Sequence, residues 1–132
     1  TAKQPLEGAT PYDITSYAGA LRYSIEKLRA AFPRAEIVLL SQTYRFWRRD
    51  GVVTSDSNTR ELCGVRLTDF VKKTREVAAE YGLFYIDNYS GSGMDEKNRD
   101  ICFSDTDSTH PLVPGLKLIA KNVSKELIKR FG

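Results

Sequence analysis

The sequence is short of the side chains that most often ligate metals or act as nucleophiles, with one histidine and two cysteines in 132 residues. Cys63 and Cys102 match no metal-ligand spacing, which removes the zinc-finger and zinc-ribbon classes. They could close one disulfide or remain two ordinary thiols, and spacing does not choose between these. No apolar run exceeds four residues, as in Ile37-Val38-Leu39-Leu40, whereas a membrane-spanning helix needs about 20. Neither sign of charge dominates. The net charge of +3 comes from 20 basic and 17 acidic residues dispersed along the chain, which argues for neither nucleic acid nor a membrane surface as partner. The first residues have no apolar core of a signal peptide, and no initiator methionine precedes them. Localisation is therefore not legible.

What is present is an ordinary globular composition, 41% hydrophobic and 28% charged, in a length that allows one domain or less. After an irregular start punctuated by Pro5, Gly8 and Pro11, with Thr10, Asp13 or Thr15 as candidate caps, apolar residues recur at Tyr17, Leu21, Ile25, Leu28 and Phe32. That is the stripe of an amphipathic helix over 14–32, stopped by Pro33. Residues 35–41 read as a strand covered on both faces. Residues 42–64 read as a long polar connection, and loops of that length are usually functional or mobile. A second helix over 66–81 places Leu67, Phe70, Val71, Thr74, Val77, Ala78 and Tyr81 on one side, with Gly82 suited to its C-terminal cap. A second buried strand follows over 83–87, then a Gly- and Ser-rich loop to 104. A last helix begins near Pro111 or Leu112, with Leu116, Ile119, Ala120, Val123, Leu127 and Phe131 inward and Lys117, Lys121, Lys125 and Lys129 outward. The lysine stripe reads as a solvated face, though it could meet an anionic surface.

The alternation of helix and strand gives an α/β fold with a parallel sheet. Two strands and three helices amount to the second half of a doubly wound sheet. Such a piece leaves an apolar edge, so the expectation is a single partial domain that forms a homo-oligomer or holds a complementing N-terminal segment.

The only histidine lies in Asp107-Ser108-Thr109-His110-Pro111, with Gly115 opening the last helix. A carboxylate three residues before an imidazole can accept its Nδ1 proton and leave Nε2 as a general base. The loop also follows a strand at its carboxyl end, where doubly wound folds bind ligands. Two other readings of the segment fail. Asp105-Thr106-Asp107-Ser108-Thr109 fits the Asp-x-Asp-x-Thr nucleophile motif of haloacid-dehalogenase-type phosphatases, but that motif belongs near the start of its fold, and only 23 residues follow Thr109. As an EF-hand loop it puts His110 where glycine is required.

Asp107-x-x-His110-Pro111 with Gly115, behind this order of elements, resembles the C-terminal part of the SGNH hydrolases, the GDSL family of esterases and lipases. The resemblance implies a flavodoxin-like three-layer α/β/α fold and Asp107 and His110 as two members of a Ser-His-Asp triad. It also implies an ester substrate and no metal or organic cofactor. Ser108 stands where the family often has glycine. The family's Gly-Asp-Ser nucleophile block, its second-strand glycine and its Gly-x-Asn-Asp block do not occur in this sequence, so the chain alone should be a poor esterase. Tyr44-Arg45-Phe46-Trp47-Arg48-Arg49 would line the substrate pocket in such an enzyme, with Tyr44 and Trp47 as the contacts. Read without the resemblance, the same stretch could be an aromatic-basic surface for nucleic acid, the surface through which a non-catalytic α/β domain binds a partner, or an exposed or oligomer-forming loop.

Overall fold

The computed structural model describes residues 5–62 and 64–132, with Leu62 described in its backbone alone. Cys63 lies outside the described residues, and with it any pairing to Cys102, which is a buried free thiol. The elements in order are α1 (Tyr17–Ala31), β1 (Val38–Leu40), β2 (Phe46–Arg49), β3 (Val52–Asp56), β4 (Glu61–Leu62), β5 (Val65–Arg66), α2 (Leu67–Glu80), β6 (Phe84–Ile86), α3 (Asn88–Gly91), α4 (Arg99–Cys102) and α5 (Val113–Phe131). The architecture is mixed α/β: β1 and β6 form a small parallel sheet, and β2–β3 and β4–β5 are separate two-stranded pairs. Among the described residues, no helix is long and apolar enough to cross a membrane.

The chain divides into two compact units, one of residues 1–41 and 61–85, the other of 42–60 and 86–132. In the first, α1 packs on α2 through Ala18, Ile25 and Val77, flanked by Leu21, Ile37, Leu39, Tyr81 and Leu83. Tyr17 meets Phe70 edge to face at 4.9 Å, and its hydroxyl bonds Thr74 at 2.6 Å. The end of α2 follows from Gly82, whose φ of 62° suits a residue without Cβ. The Leu83 and Gly82 N–H groups donate back to the Ala78 and Ala79 carbonyls, which closes a Schellman motif. At its other end, the Asp69 carboxylate accepts the Arg66 N–H at 2.7 Å.

The expected face of α1 is rotated. Ser16 caps the helix by accepting from Gly19, and Arg22 points inward, while Leu28 and Phe32 are exposed. Arg22 is buried because it has two carboxylates to meet. It bonds Glu80 through Nε and Nη2, at 2.8 and 2.9 Å, and Glu7 through Nη1 and Nη2, at 2.8 and 3.1 Å. Lys73 adds a second cation to Glu7 at 3.1 Å. The β1 strand is also barer than a doubly covered strand, with Val38 and Leu39 half-buried and Leu40 exposed.

The second unit has its core in Tyr44, Phe46, Met94, Cys102 and Phe103, with Val53, Tyr89, Leu118 and Ile119 packed around it. The expected loops at 42–64 and 88–104 contain structure. Asp50 and Gly51, at φ 50° and 78°, make a two-residue turn that pairs Arg49 with Val52 and folds 46–56 into a hairpin. The α3 helix begins at Asp87, whose carboxylate accepts the Ser90 N–H at 3.1 Å.

On α5 the four lysines face solvent as expected, but the inward side differs. Gly115 and Asn122 are buried, Leu118, Ile119, Val123 and Leu127 are half-buried, and Leu116, Ala120 and Phe131 are exposed. Asn122 turns inward because its amide donates to the Asp87 carbonyl at 3.0 Å and to Asn88 Oδ1 at 2.9 Å. Those bonds satisfy polar groups that would otherwise be buried unpaired.

The Arg22 cluster sets an acid limit. Hydrogen bonding to Arg22, more than the attraction of Lys73, holds the Glu7 carboxyl at about 2 against an ordinary 4.5, and Arg22 lowers Glu80 as well. A carboxylate with a depressed folded value stabilises the fold above its unfolded value, and that contribution is lost as pH falls through the window between the two. Between about pH 4.5 and 2, the urea midpoint of the wild type should therefore fall more steeply than that of Arg22→Gln. Parallel curves would contradict this.

Candidate active site

The 104–110 loop is shaped by short polar side chains that bond their own backbone. Asp107 Oδ1 accepts the Thr109 N–H at 2.8 Å and the His110 N–H at 3.0 Å, an Asx-type turn. Ser104 Oγ accepts the Asp107 N–H at 2.9 Å, fixing the residue before its carboxylate is used. The second oxygen, Oδ2, is then aimed at His110 Nδ1, 2.7 Å away. The three-residue spacing is thus satisfied in the structure, and the backbone bonds are the cause.

These bonds, led by the His110 and Thr109 N–H groups, hold the Asp107 carboxyl at about 2. It is an anion at neutral pH and can only accept. Nδ1 must therefore be the donor, which in the neutral ring leaves Nε2 unprotonated. The His110 side chain is 83% exposed, and Nε2 has no partner among the described residues. The pair is assembled and open to solvent.

Pro111 and Gly115 turn the chain from this loop into α5. Leu112 N–H donates to the Cys102 carbonyl at 2.7 Å, tying the loop to the end of α4. A Cβ on Gly115 would come within 2.9 Å of Pro111 Cβ, 3.0 Å of Met94 Sδ and 3.1 Å of the Cys102 carbonyl oxygen. The glycine is there because the first turn of α5 lies directly against the loop.

The 44–49 stretch divides between core and surface. Tyr44 is 3% exposed. It stacks on Phe46 at 6.4 Å, and its hydroxyl bonds Asp56 at 3.4 Å. Burial pushes its ionisation up. It also lines a cavity of about 440 Å³ with Asn58, Tyr89, Met94, Asp95 and Lys97, which Asp107 and His110 do not line. Trp47 is half-buried, with the Arg45 and Arg60 guanidiniums 4.8 and 4.7 Å from its ring centre. With Tyr44 and Phe46 turned inward, the stretch shows solvent a tryptophan and arginines rather than a row of aromatics.

The links from this hairpin to the loop escaped the sequence reading. Arg45 donates to Thr109 Oγ1 at 2.9 Å, and Arg48 bonds Asp105 at 3.4 Å and Asp100 more closely. Both arginines thus brace the segment that carries the Asp–His pair. The one available signal was the Asp-Gly turn, which would have placed residues 45 and 48 on a strand. Among the described residues, no group of three His, Cys, Asp or Glu is arranged to hold a metal ion.

No protein-family model and no curated protein matches this sequence. Several solved structures match the fold. A Lactobacillus plantarum protein aligns with 98% of the chain at 23% identity and a TM-score of 0.81. A possible lipase from Chitinophaga pinensis aligns with 96% at 18% identity and a TM-score of 0.72. The esterase domain of a zebrafish retrotransposon's ORF1 protein aligns with 83% at 21% identity and a TM-score of 0.61. The chain spans 61%, 67% and 59% of these three structures. At these identities the likeness is one of fold, an α/β fold shared with a possible lipase and an esterase domain.

Replacing Gly115 with alanine should cost about 1–3 kcal/mol, the usual range for forcing a methyl group into a packed site. It should also shift the His110 and Thr109 amide resonances. Unchanged stability and spectra would show that the close approach is not a constraint.

Proposed function

We propose that this chain supplies the acid–base half of an SGNH-type ester hydrolase. The observation that carries the reading is the Asp107 Oδ2 to His110 Nδ1 bond of 2.7 Å, with Nε2 facing solvent. The supporting context is a fold shared with a possible lipase and an esterase domain. In the reaction, a serine from a Gly-Asp-Ser block attacks the ester carbonyl while His110 Nε2 takes its proton. His110 then returns that proton to the leaving alcohol, and water repeats the sequence on the acyl-enzyme. Asp107 holds the ring and balances the charge of the imidazolium. Tyr44, on the wall of its cavity, and Trp47 are the substrate contacts in this reading.

The blocks that supply the serine and the oxyanion donors do not occur in this sequence. Each missing oxyanion donor typically lowers the rate by about 10²–10³, so the 132 residues alone are a very poor esterase. The reading therefore includes a complementing segment that carries those blocks; a second copy could cover the apolar edge but not supply the serine. Exposed apolar residues fit that requirement: Leu40 on β1, and Val113, Leu116, Ile128 and Phe131 on α5.

A form of the protein that carries a Gly-Asp-Ser block, fused ahead of residue 1 or added in trans, should hydrolyse p-nitrophenyl acetate. His110→Ala should reduce kcat by at least about 10³-fold, and Asp107→Asn by about 10⁴-fold. Full activity in His110→Ala would end the triad assignment. The chain by itself should run as a dimer or larger species in gel filtration with light scattering, and a compact monomer would contradict the complementation part.

A further inference from the structure

The β2–β3 hairpin does not keep the alternation of a regular strand pair. Trp47 pairs with Ser55 and Arg48 with Val53, so Thr54 is an extra residue opposite the Trp47–Arg48 step. Its hydroxyl donates to the Trp47 carbonyl at 3.3 Å. Successive side chains of a strand point to opposite faces, yet Arg48 and Arg49 line the same cavity, together with Thr54 and Arg60. The bulge lies on β3, where the unpaired Thr54 bends the ladder opposite the Trp47–Arg48 step.

That cavity, of about 420 Å³, is lined by three arginines and Thr54, with no carboxylate in the lining. Arg48 is anchored by Asp100 and Asp105, and its Nε is buried without a hydrogen-bond partner. Arg60 is held by its stack on Trp47 at 4.7 Å. No carboxylate pairs with Arg49 or Arg60 among the described residues. The charge of Arg48 is met by Asp100 and Asp105, so Arg49 and Arg60 supply the excess positive charge that draws a counter-ion to the cavity. A carboxylate is matched by a single guanidinium fork, whereas three guanidiniums suit an ion with more oxygens and more than one charge. The volume lies in the range of small-molecule sites and leaves room beyond one tetrahedral ion.

We propose that the bulged hairpin is a binding site for a phosphate dianion, held by Arg48, Arg49 and Arg60 with Thr54 as a neutral donor. The proposal does not depend on the hydrolase reading, although Arg48 also braces the 104–110 loop and Trp47 is a substrate contact in that reading.

Trp47 is the only tryptophan and stacks against one of the proposed ligands, so its fluorescence reports on the cavity. The 132-residue chain should be titrated with inorganic phosphate and with glycerol 3-phosphate, and with sodium chloride at matched ionic strength. A saturable change with either phosphate and none with chloride is the expected result. Tighter binding of glycerol 3-phosphate identifies an organic phosphomonoester as the source, and tighter binding of the inorganic ion identifies free phosphate. Arg49→Gln and Arg60→Gln should each weaken binding about tenfold or more, while His110→Ala leaves it unchanged. Arg49 is exposed and is not one of the two guanidiniums over the Trp47 ring, so its variant tests the site even if Arg60→Gln disturbs the ring. A response that follows ionic strength alone, that survives Arg49→Gln, or that needs an oligonucleotide to produce it would overturn the proposal.

Discussion

A single carboxylate organises the loop that carries the Asp–His pair. Asp107 accepts two main-chain N–H groups on one oxygen and an imidazole on the other. The first two bonds give the loop its shape, and the third gives it chemistry. Because the turn is built from the same side chain that orients His110, geometry and ionisation are set together. The N–H groups that fix Asp107 in place also keep it charged. Arginines 45 and 48, reaching from the hairpin to Thr109 and Asp105, brace the loop from outside.

Where apolar periodicity agreed with packing, the sequence was a good guide. The stripe of α2 is inward as read, and Gly82 ends that helix as its φ requires. The reading failed where polar residues or glycine hold inward positions. Arg22 takes an inward place on α1 because Glu7 and Glu80 neutralise it. Gly115 and Asn122 take the inward face of α5, one through close approach and the other through main-chain hydrogen bonds. A pattern search that scores hydrophobicity assigns all three to the outside. It therefore rotates both helices and buries Leu28, Phe32, Leu116 and Phe131, which are exposed.

The site was half legible for a related reason. Asp107 and His110 are close in sequence, and a local hydrogen-bond pattern can be read from spacing. Tyr44 and Trp47 depend on the pairing of β2 with β3, which Asp50-Gly51 signals but which was not read from the polar sequence around it. That pairing puts Tyr44 in a core, leaves Trp47 between two guanidiniums, and gathers Arg48, Arg49 and Arg60 around one cavity. The arginines that brace the loop and those that line the cavity thus come from one irregular hairpin and the residues that flank it, and Arg48 serves both.

The account rests on His110 Nε2 being the free base of the pair. This is read directly from the ¹⁵N shifts of His110 at a pH where the ring is neutral. The Asp107 bond requires the less common tautomer, with a proton on Nδ1 and a pyridine-like Nε2. Asp107→Asn should remove that preference. A wild-type ring protonated on Nε2 would mean that Asp107 does not orient His110, and that the pair is a feature of loop structure without a role in proton transfer.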